Sequence, residues 1–228
     1  MKITVLGSGI VGQTISSKLD NLGHQVILGT RNSKETLARL EANRMTGKTF
    51  SAWYNDFPNI TLQDFGKIPA DSDLIINATS GNGTMSALKM LGKSVLTKKV
   101  LIDISNPLDF SRGMPPSLSI CNTDSLAETI QREYPDTYVV KTLNTMNCSL
   151  MVNPSSLTGD HHVFMSGNDN DAKVIVQELL QEIGWKKSSI IDLGGIESAR
   201  GAEMILPMWL NLFGKFGHGT FNFAINQS

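Results

Sequence analysis

A doubly wound α/β fold, with a parallel sheet and a C-terminal helical extension, is predicted by three features of this 228-residue sequence. Short, continuous apolar runs rich in Val and Ile recur from residue 3 to about residue 193. Stretches with helical apolar spacing separate them. The runs show no alternation of apolar and polar residues, so each strand is covered on both faces, as strands of parallel sheets are. Alternation of such strands with helices is the pattern of βαβ units.

Residues 3–6 form the first buried strand, ended by Gly7. Val11, Ile15, Leu19 and Leu22 then recur at helical spacing, and Gly23 stands where a helix C-cap stands. Residues 25–28 are a second strand, closed by Gly29. Residues 35–40 begin a helix with Ser33 as N-cap. Residues 44–68 carry Trp53, Tyr54, Phe57 and Phe65 without a clear period, with a short strand at 60–62. Strands follow at 73–78, 100–104, 138–143, 163–165 and 190–193. Helices follow at 83–91, 125–133, 171–183 and 198–213. Residues 109–121, with Pro115-Pro116, and 147–160 read as loops. No repeat or linker divides the chain. It reads as one domain over 1–228, with 196–228 as a C-terminal helix and tail packed on it.

Composition narrows the function classes. Lys plus Arg number 20 and Asp plus Glu 21, a net charge of −1, which is not the footprint of a nucleic-acid binder. No polybasic run or apolar stretch of about 18 residues points to a membrane. The opening apolar run is too short for a signal peptide. The expectation is a soluble cytoplasmic protein. Cys121 and Cys148 are far apart, and no Cys/His cluster suggests a metal. Adjacent His161 and His162 on a strand point to opposite faces and cannot chelate together. Cys148 reads as a small buried hydrophobe, and His24 as a surface residue at the Gly23 turn. His218, between two glycines, lies in a flexible tail.

The sharpest motif is Gly7-Ser8-Gly9-Ile10-Val11-Gly12, a G-x-G-x-x-G between the first strand and the first helix. In a Rossmann-type site Gly7 makes the tight turn, Gly9 lets the backbone approach a pyrophosphate, and Gly12 lets helix and strand pack closely. The helix N-terminus then presents free N–H groups to the phosphates. An NAD site places an acid at the end of the second strand. Here stand Thr30-Arg31-Asn32-Ser33-Lys34, with no acid at the strand end. Arg31 can clamp a 2′-phosphate, Thr30 and Ser33 can donate hydroxyls, and Lys34 adds charge. The cofactor expected is NADP(H). Three later strand ends are small and polar and suit the rest of the dinucleotide: Thr79-Ser80, Asn106-Pro107, and Asn144 to Asn147.

With these residues in view, the chain resembles the NADP-dependent oxidoreductases of the deazaflavin (coenzyme F420) type, and the oxidoreductase domains of membrane ferric reductases. Residues 1–12, 28–31, 139–145 and 192–200 carry the likeness, which extends over about 1–217. It implies hydride transfer between NADPH and a flavin or deazaflavin, with no catalytic acid or base, because the cofactor carries the chemistry. It further implies that Ser8 and Ile10 lie under the pyrophosphate and nicotinamide. Thr79, Ser80 and Asn106 flank the nicotinamide, and Asn144, Met146 and Leu206 face the second ring. Departures from the family pattern at 80–82, Asn144 and Asn147, and the extra residues 44–58, fall on the acceptor side. They leave a flavin, a deazaflavin or another small oxidised molecule open as acceptor. A dinucleotide-binding redox sensor and an imine or 2-oxoacid reductase on the same fold are the alternatives. The last helix is apolar nearly all round, which implies burial, partly in a homodimer. Arg200 and Glu203, three apart on it, are spaced to pair.

Overall fold

A computed structural model describes residues 1–43 and 46–227. In chain order the elements are β1 (Lys2–Leu6), α1 (Ile10–Asn21), β2 (Gln25–Thr30), α2 (Ser33–Leu37), α3 (Phe50–Asp56), β3 (Thr61–Asp64), β4 (Leu74–Asn77), α4 (Gly81–Leu91), α5 (Lys93–Leu96) and β5 (Val100–Asp103). There follow β6 (Leu108–Asp109), β7 (Ser117–Leu118), α6 (Leu126–Glu133), β8 (Tyr138–Thr142), α7 (Cys148–Val152), β9 (Val163–Gly167), α8 (Asn170–Ile183), β10 (Ile190–Asp192), α9 (Ala199–Met204) and α10 (Leu206–Phe216). Eight strands form one sheet in the order β10-β9-β8-β5-β4-β1-β2-β3.

The sheet is buried on both faces, and strand periodicity divides the core between them. Ile3, Val5, Leu74, Ile76, Val100 and Ile102 face a layer that holds α1, α3, α7 and α8. Leu6, Ile75, Leu101 and Val139 face the other, which holds α4, α5 and α6. Side chains of successive residues point to opposite faces, so a continuous apolar run serves both layers at once. The chain switches direction of growth between β1 and β4, whose carboxyl ends adjoin. That switch point is where such sheets bind ligands.

The sheet departs from all-parallel at one pair. β8 and β9 run antiparallel, with Thr142 opposite Met165 and Val140 opposite Gly167. A parallel neighbour needs a crossover back along the sheet. Here the connection holds the five-residue α7 and a 3-10 turn at Pro154–Ser156, with no long helix to carry the chain back, and β9 starts at the end where β8 stops.

Other boundaries shift for local reasons. β2 runs on through Gly29 to Thr30, because a Cβ at Gly29 would meet Ile68 and Phe65 at 2.8 and 3.1 Å and the bare backbone fits there. Asn32, not Ser33, caps α2, accepting from the amides of Lys34 and Glu35. Residues 147–160, expected as loop, include α7, and the 109–121 loop is pinned by the β6–β7 pair. The single C-terminal helix expected over 198–213 is two. Pro207 lacks the N–H that an unbroken helix would use, and the break falls at Ile205. Within one chain the cover expected for that helix is incomplete. Only Leu206 of α10 is buried, while Met208, Phe213 and Phe216 are 55, 40 and 50% exposed. Of residues 44–58, Arg44 and Met45 lie outside the described residues. Trp53, on α3, docks on α1 through Nε1, which donates to Ser17 Oγ at 2.9 Å.

Candidate functional site: a dinucleotide cleft

The glycine motif has the geometry its spacing predicts. Gly7 adopts φ +111°, and a Cβ there would lie 2.6 Å from the Ala78 carbonyl oxygen. A Cβ on Gly12 would lie 1.7 Å from the Gly7 carbonyl oxygen, so only glycine lets α1 sit this close to the β1 turn. Gly9 differs from both: a Cβ there meets nothing within 4 Å and would project into open space. It caps α1 without a side-chain hydrogen bond, and the first turn of α1 has no acid. The free amides and the open face at Gly9 fit a pyrophosphate.

A cleft of about 630 Å³ opens beside this turn, across the carboxyl ends of β1, β2 and β4. Gly7, Ser8, Gly9, Thr30, Arg31, Asn32, Thr79 and Ser80 line it. Arg31 is exposed, and its guanidinium hydrogen-bonds to none of the described residues. The hydroxyls of Ser8, Thr30 and Thr36 form a chain on the floor, at 3.3 and 2.8 Å. Two expected contributors stand back. Ser33 spends its amide on Asp64 Oδ1 at 2.7 Å, and Lys34 is exposed on α2 without lining the cleft. The Ser33 amide and Lys67 hold the Asp64 carboxyl at about 2, well below its ordinary value.

Sequence reasoning missed Arg39. Its Nη2 lies 2.5 Å from Ser8 Oγ and 3.5 Å from the Ser8 carbonyl oxygen. Its guanidinium stands over the Phe50 ring, 5.2 Å from the centroid. It walls both the main cleft and a smaller cavity of about 260 Å³, which Ile10, Gln13 and Phe50 also line. No sequence signal marked it: Arg39 lies two residues beyond the end of α2, and its place is set by where that helix stops and by Phe50.

The remaining strand ends meet behind the cleft. Asn106 and Asn144 exchange side-chain hydrogen bonds: Asn106 Nδ2 donates to the Asn144 carbonyl and Asn144 Nδ2 to Asn106 Oδ1, both at 2.9 Å. Asn144 Nδ2 also donates to the Ala202 carbonyl, and its Oδ1 has no partner among the described residues. Asn144 follows Leu143, a non-glycine residue at φ +62°. A Cβ on Gly81 would lie 2.1 Å from the Asn106 carbonyl oxygen, so α4 abuts Asn106-Pro107.

Comparison with known proteins now bears on this geometry. The family model for "NADP oxidoreductase coenzyme F420-dependent" matches residues 2–107, from β1 to the Asn106-Pro107 turn. The solved structure of a proposed F420-dependent NADP-reductase from Arthrobacter sp. FB24 is 50% identical, covers 100% of both chains and has a TM-score of 0.93. The chain belongs to the coenzyme F420-dependent NADP oxidoreductase family. It is also 27% identical over 218 residues to the F420-dependent NADP reductase of Methanothermobacter marburgensis, covering 93% of this chain and 92% of that one. The metalloreductase STEAP3 of Rattus norvegicus is 27% identical over 213 residues, and there the chain spans only 38% of the relative's length. This member of the family is an NADP-dependent oxidoreductase with a Rossmann-type fold.

Beneath the cleft, this family member carries a buried ionic network. Lys141 on β8 is fully buried, with Nζ 2.8 Å from both Asp103 Oδ2 and Glu203 Oε1. It also donates to the Ser105 carbonyl. Burial alone would lower the Lys141 pKa, but Asp103 and Glu203 together outweigh it and raise it. Asp103 also accepts from Asn77 Nδ2 at 2.7 Å, and Asn77 accepts from the Thr79 hydroxyl at 2.6 Å. Glu203 caps α6, accepting from the amides of Leu126 and Ala127. The network ties the Thr79 turn, the Ser105 turn and α9 into one unit.

Glu203 is thus not the partner of Arg200, as their spacing suggests. Arg200 reaches Glu128 of α6 with Nε and Nη2, at 2.9 and 2.5 Å. Burial decides it: Glu203 points inward to Lys141, and Arg200 points out. Asn144, Met146 and Leu206, expected to face an acceptor ring, are 2, 5 and 6% exposed and line neither cavity. Cys148 is buried beside Thr14, and burial raises its thiol pKa. The His24 side chain is 7% exposed, set between the N-terminus and Glu182, rather than on the surface. Among the described residues no group of His, Cys, Asp and Glu suits a metal ion, and no helix is long and apolar enough to cross a membrane. His161 and His162 instead hold the tail, through Asn222 and through Phe223 and Ile225.

Proposed function

We propose that this oxidoreductase transfers hydride between NADP(H) and a flavin or deazaflavin acceptor, with Arg31 selecting the phosphorylated dinucleotide. The observation that carries the reading is the full-length likeness to F420-dependent NADP reductases, on a chain whose strand-end cleft is cationic where an NAD site is acidic. When bound, the nicotinamide supplies the hydride chemistry. The chain's own residues do the rest. The first-turn amides of α1 and the bare backbone at Gly9 receive the pyrophosphate. Arg31 and the hydroxyls of Thr30 and Ser8 receive the 2′-phosphate. The Thr79 and Asn106 turns, braced by Asn77, Asp103 and Lys141, hold the nicotinamide end. No acid or base is assigned, since hydride transfer between two rings needs positioning and a dry pocket.

The test is NADPH oxidation with FMN, FAD, riboflavin and a deazaflavin offered in turn, and NADH as control. Turnover with one acceptor supports the reading and names the second ligand. Tight NADPH binding without turnover on any of them favours a redox sensor instead.

The exposed apolar side chains Met204, Met208, Phe213 and Phe216 on α9 and α10 support a homodimer as part of the same proposal. Sedimentation equilibrium showing only monomer at micromolar concentration would remove that part.

A further inference from the structure

Arg31 and Arg39 stand eight residues apart, at opposite ends of α2, and both line the main cleft. Arg39 is held there by four contacts: Nη2 to Ser8 Oγ and to the Ser8 carbonyl, Nε to the Thr36 carbonyl at 3.4 Å, and the guanidinium face on Phe50. These contacts leave it charged and without an ion pair among the described residues. Burial lowers its pKa, Glu41 opposes that, and the positive charge of Arg31 lowers it further. Both guanidiniums line the cleft at the end of β2, with the Ser8–Thr30–Thr36 hydroxyl chain on the same floor. The one acid lining the main cleft, Glu35, accepts from Asn32 Nδ2 at 2.8 Å.

Two like charges facing one cleft, Arg31 exposed and Arg39 partly buried, raise the energy of the empty site. A doubly charged anion between them relieves that repulsion and gains two charge-assisted hydrogen-bonding partners. The hydroxyl chain between the arginines offers further donors for phosphate oxygens. A neutral ribose hydroxyl gains little of this.

We propose that Arg39 is a second guanidinium for the 2′-phosphate of NADP(H), closing on it from the Ser8 side while Arg31 closes from the solvent side. The inference rests on the reading of the cleft as an NADP site. It makes preference for NADP(H) over NAD(H) the joint property of two arginines, one exposed and one pre-positioned against the glycine turn and Phe50.

The test uses Arg39→Met, which keeps an apolar stem on Phe50 and removes the charge, beside Arg39→Lys, which keeps the charge and loses the planar fork. Binding of NADPH, NADH, 2′,5′-ADP and 5′-ADP to the full chain is measured by titration calorimetry, and folding is checked by thermal melting. The expected result for Arg39→Met is a 10- to 100-fold weaker affinity for NADPH and 2′,5′-ADP. NADH and 5′-ADP should shift less than 3-fold, with Arg39→Lys in between. Equal weakening of NADPH and NADH would mean that Arg39 serves the pyrophosphate or the fold, and would overturn the proposal. An unchanged NADPH affinity would overturn it as well. Failure of the underlying reading looks different: the unsubstituted protein would then bind NADPH no better than NADH.

Discussion

Replacing Lys141 with Met removes the single cation shared by two buried carboxylates. Asp103 and Glu203 are 0 and 1% exposed, and each lies 2.8 Å from Lys141 Nζ. Met matches much of the lysine stem in volume, so little cavity is left. What remains is two like charges out of water. Asp103 keeps its bonds from Asn77 and Ser105, and Glu203 those from the α6 amides. These soften the loss but do not neutralise it. Breaking a buried pair by removing one partner costs about 3–5 kcal/mol. For a chain of this size each kcal/mol moves the melting temperature by roughly 2–4 °C, so Lys141→Met should lower it by roughly 6–20 °C. Calorimetry with urea unfolding measures both quantities. The double variant Lys141→Met/Glu203→Gln removes one of the stranded charges and should be more stable than Lys141→Met alone. A loss under about 1 kcal/mol, or a double variant less stable than the single, would refute the view that the two carboxylates depend on Lys141.

Three further expectations follow from the cleft. Arg31→Ala should weaken NADPH binding by about 1.5–3 kcal/mol, the range for a charged hydrogen bond, and leave NADH nearly unchanged; equal losses would show that Arg31 does not read the 2′-phosphate. Gly9→Ala and Gly7→Ala should separate binding from folding. The first places a methyl in open space and should keep or slightly raise the melting temperature while weakening NADPH at least about tenfold. The second forces a side chain into φ +111° against the Ala78 carbonyl and should destabilise by about 1–3 kcal/mol. Asp64, whose folded pKa near 2 is below its ordinary 3.8, stabilises the fold above about pH 4, and that contribution fades as pH falls through 2. Carboxyl NMR should find its midpoint near 2, and a midpoint near 3.8 would mean that the Ser33 amide is not bound to it in solution.

Much of the site was legible because it rests on local chemistry. A glycine that must sit at φ +111°, and another that must touch a neighbouring carbonyl, can be read from their spacing after an apolar strand. The absence of an acid after β2 is equally a matter of one position. Arg39 was not legible in the same way. Its role depends on where α2 ends and on Phe50 arriving from a segment without clear periodicity. Arg200 and Glu203 show the limit of spacing rules: three residues apart on one helix, one points outward and the other inward, and they take ionic partners 72 and 62 residues away.

The sequence by itself determined the layered α/β class, the order of the main strands along the chain, the glycine turn and the absence of an acid at the end of β2. These follow from period, glycine sterics and charge sign, which act over a few residues. Tertiary structure alone decided the reversal at β8–β9, the exposure of α10, the pairing of Lys141 with Asp103 and Glu203, and the approach of Arg39 to Ser8. Each depends on which distant surfaces meet, and burial and electrostatics between such surfaces have no signature at short range.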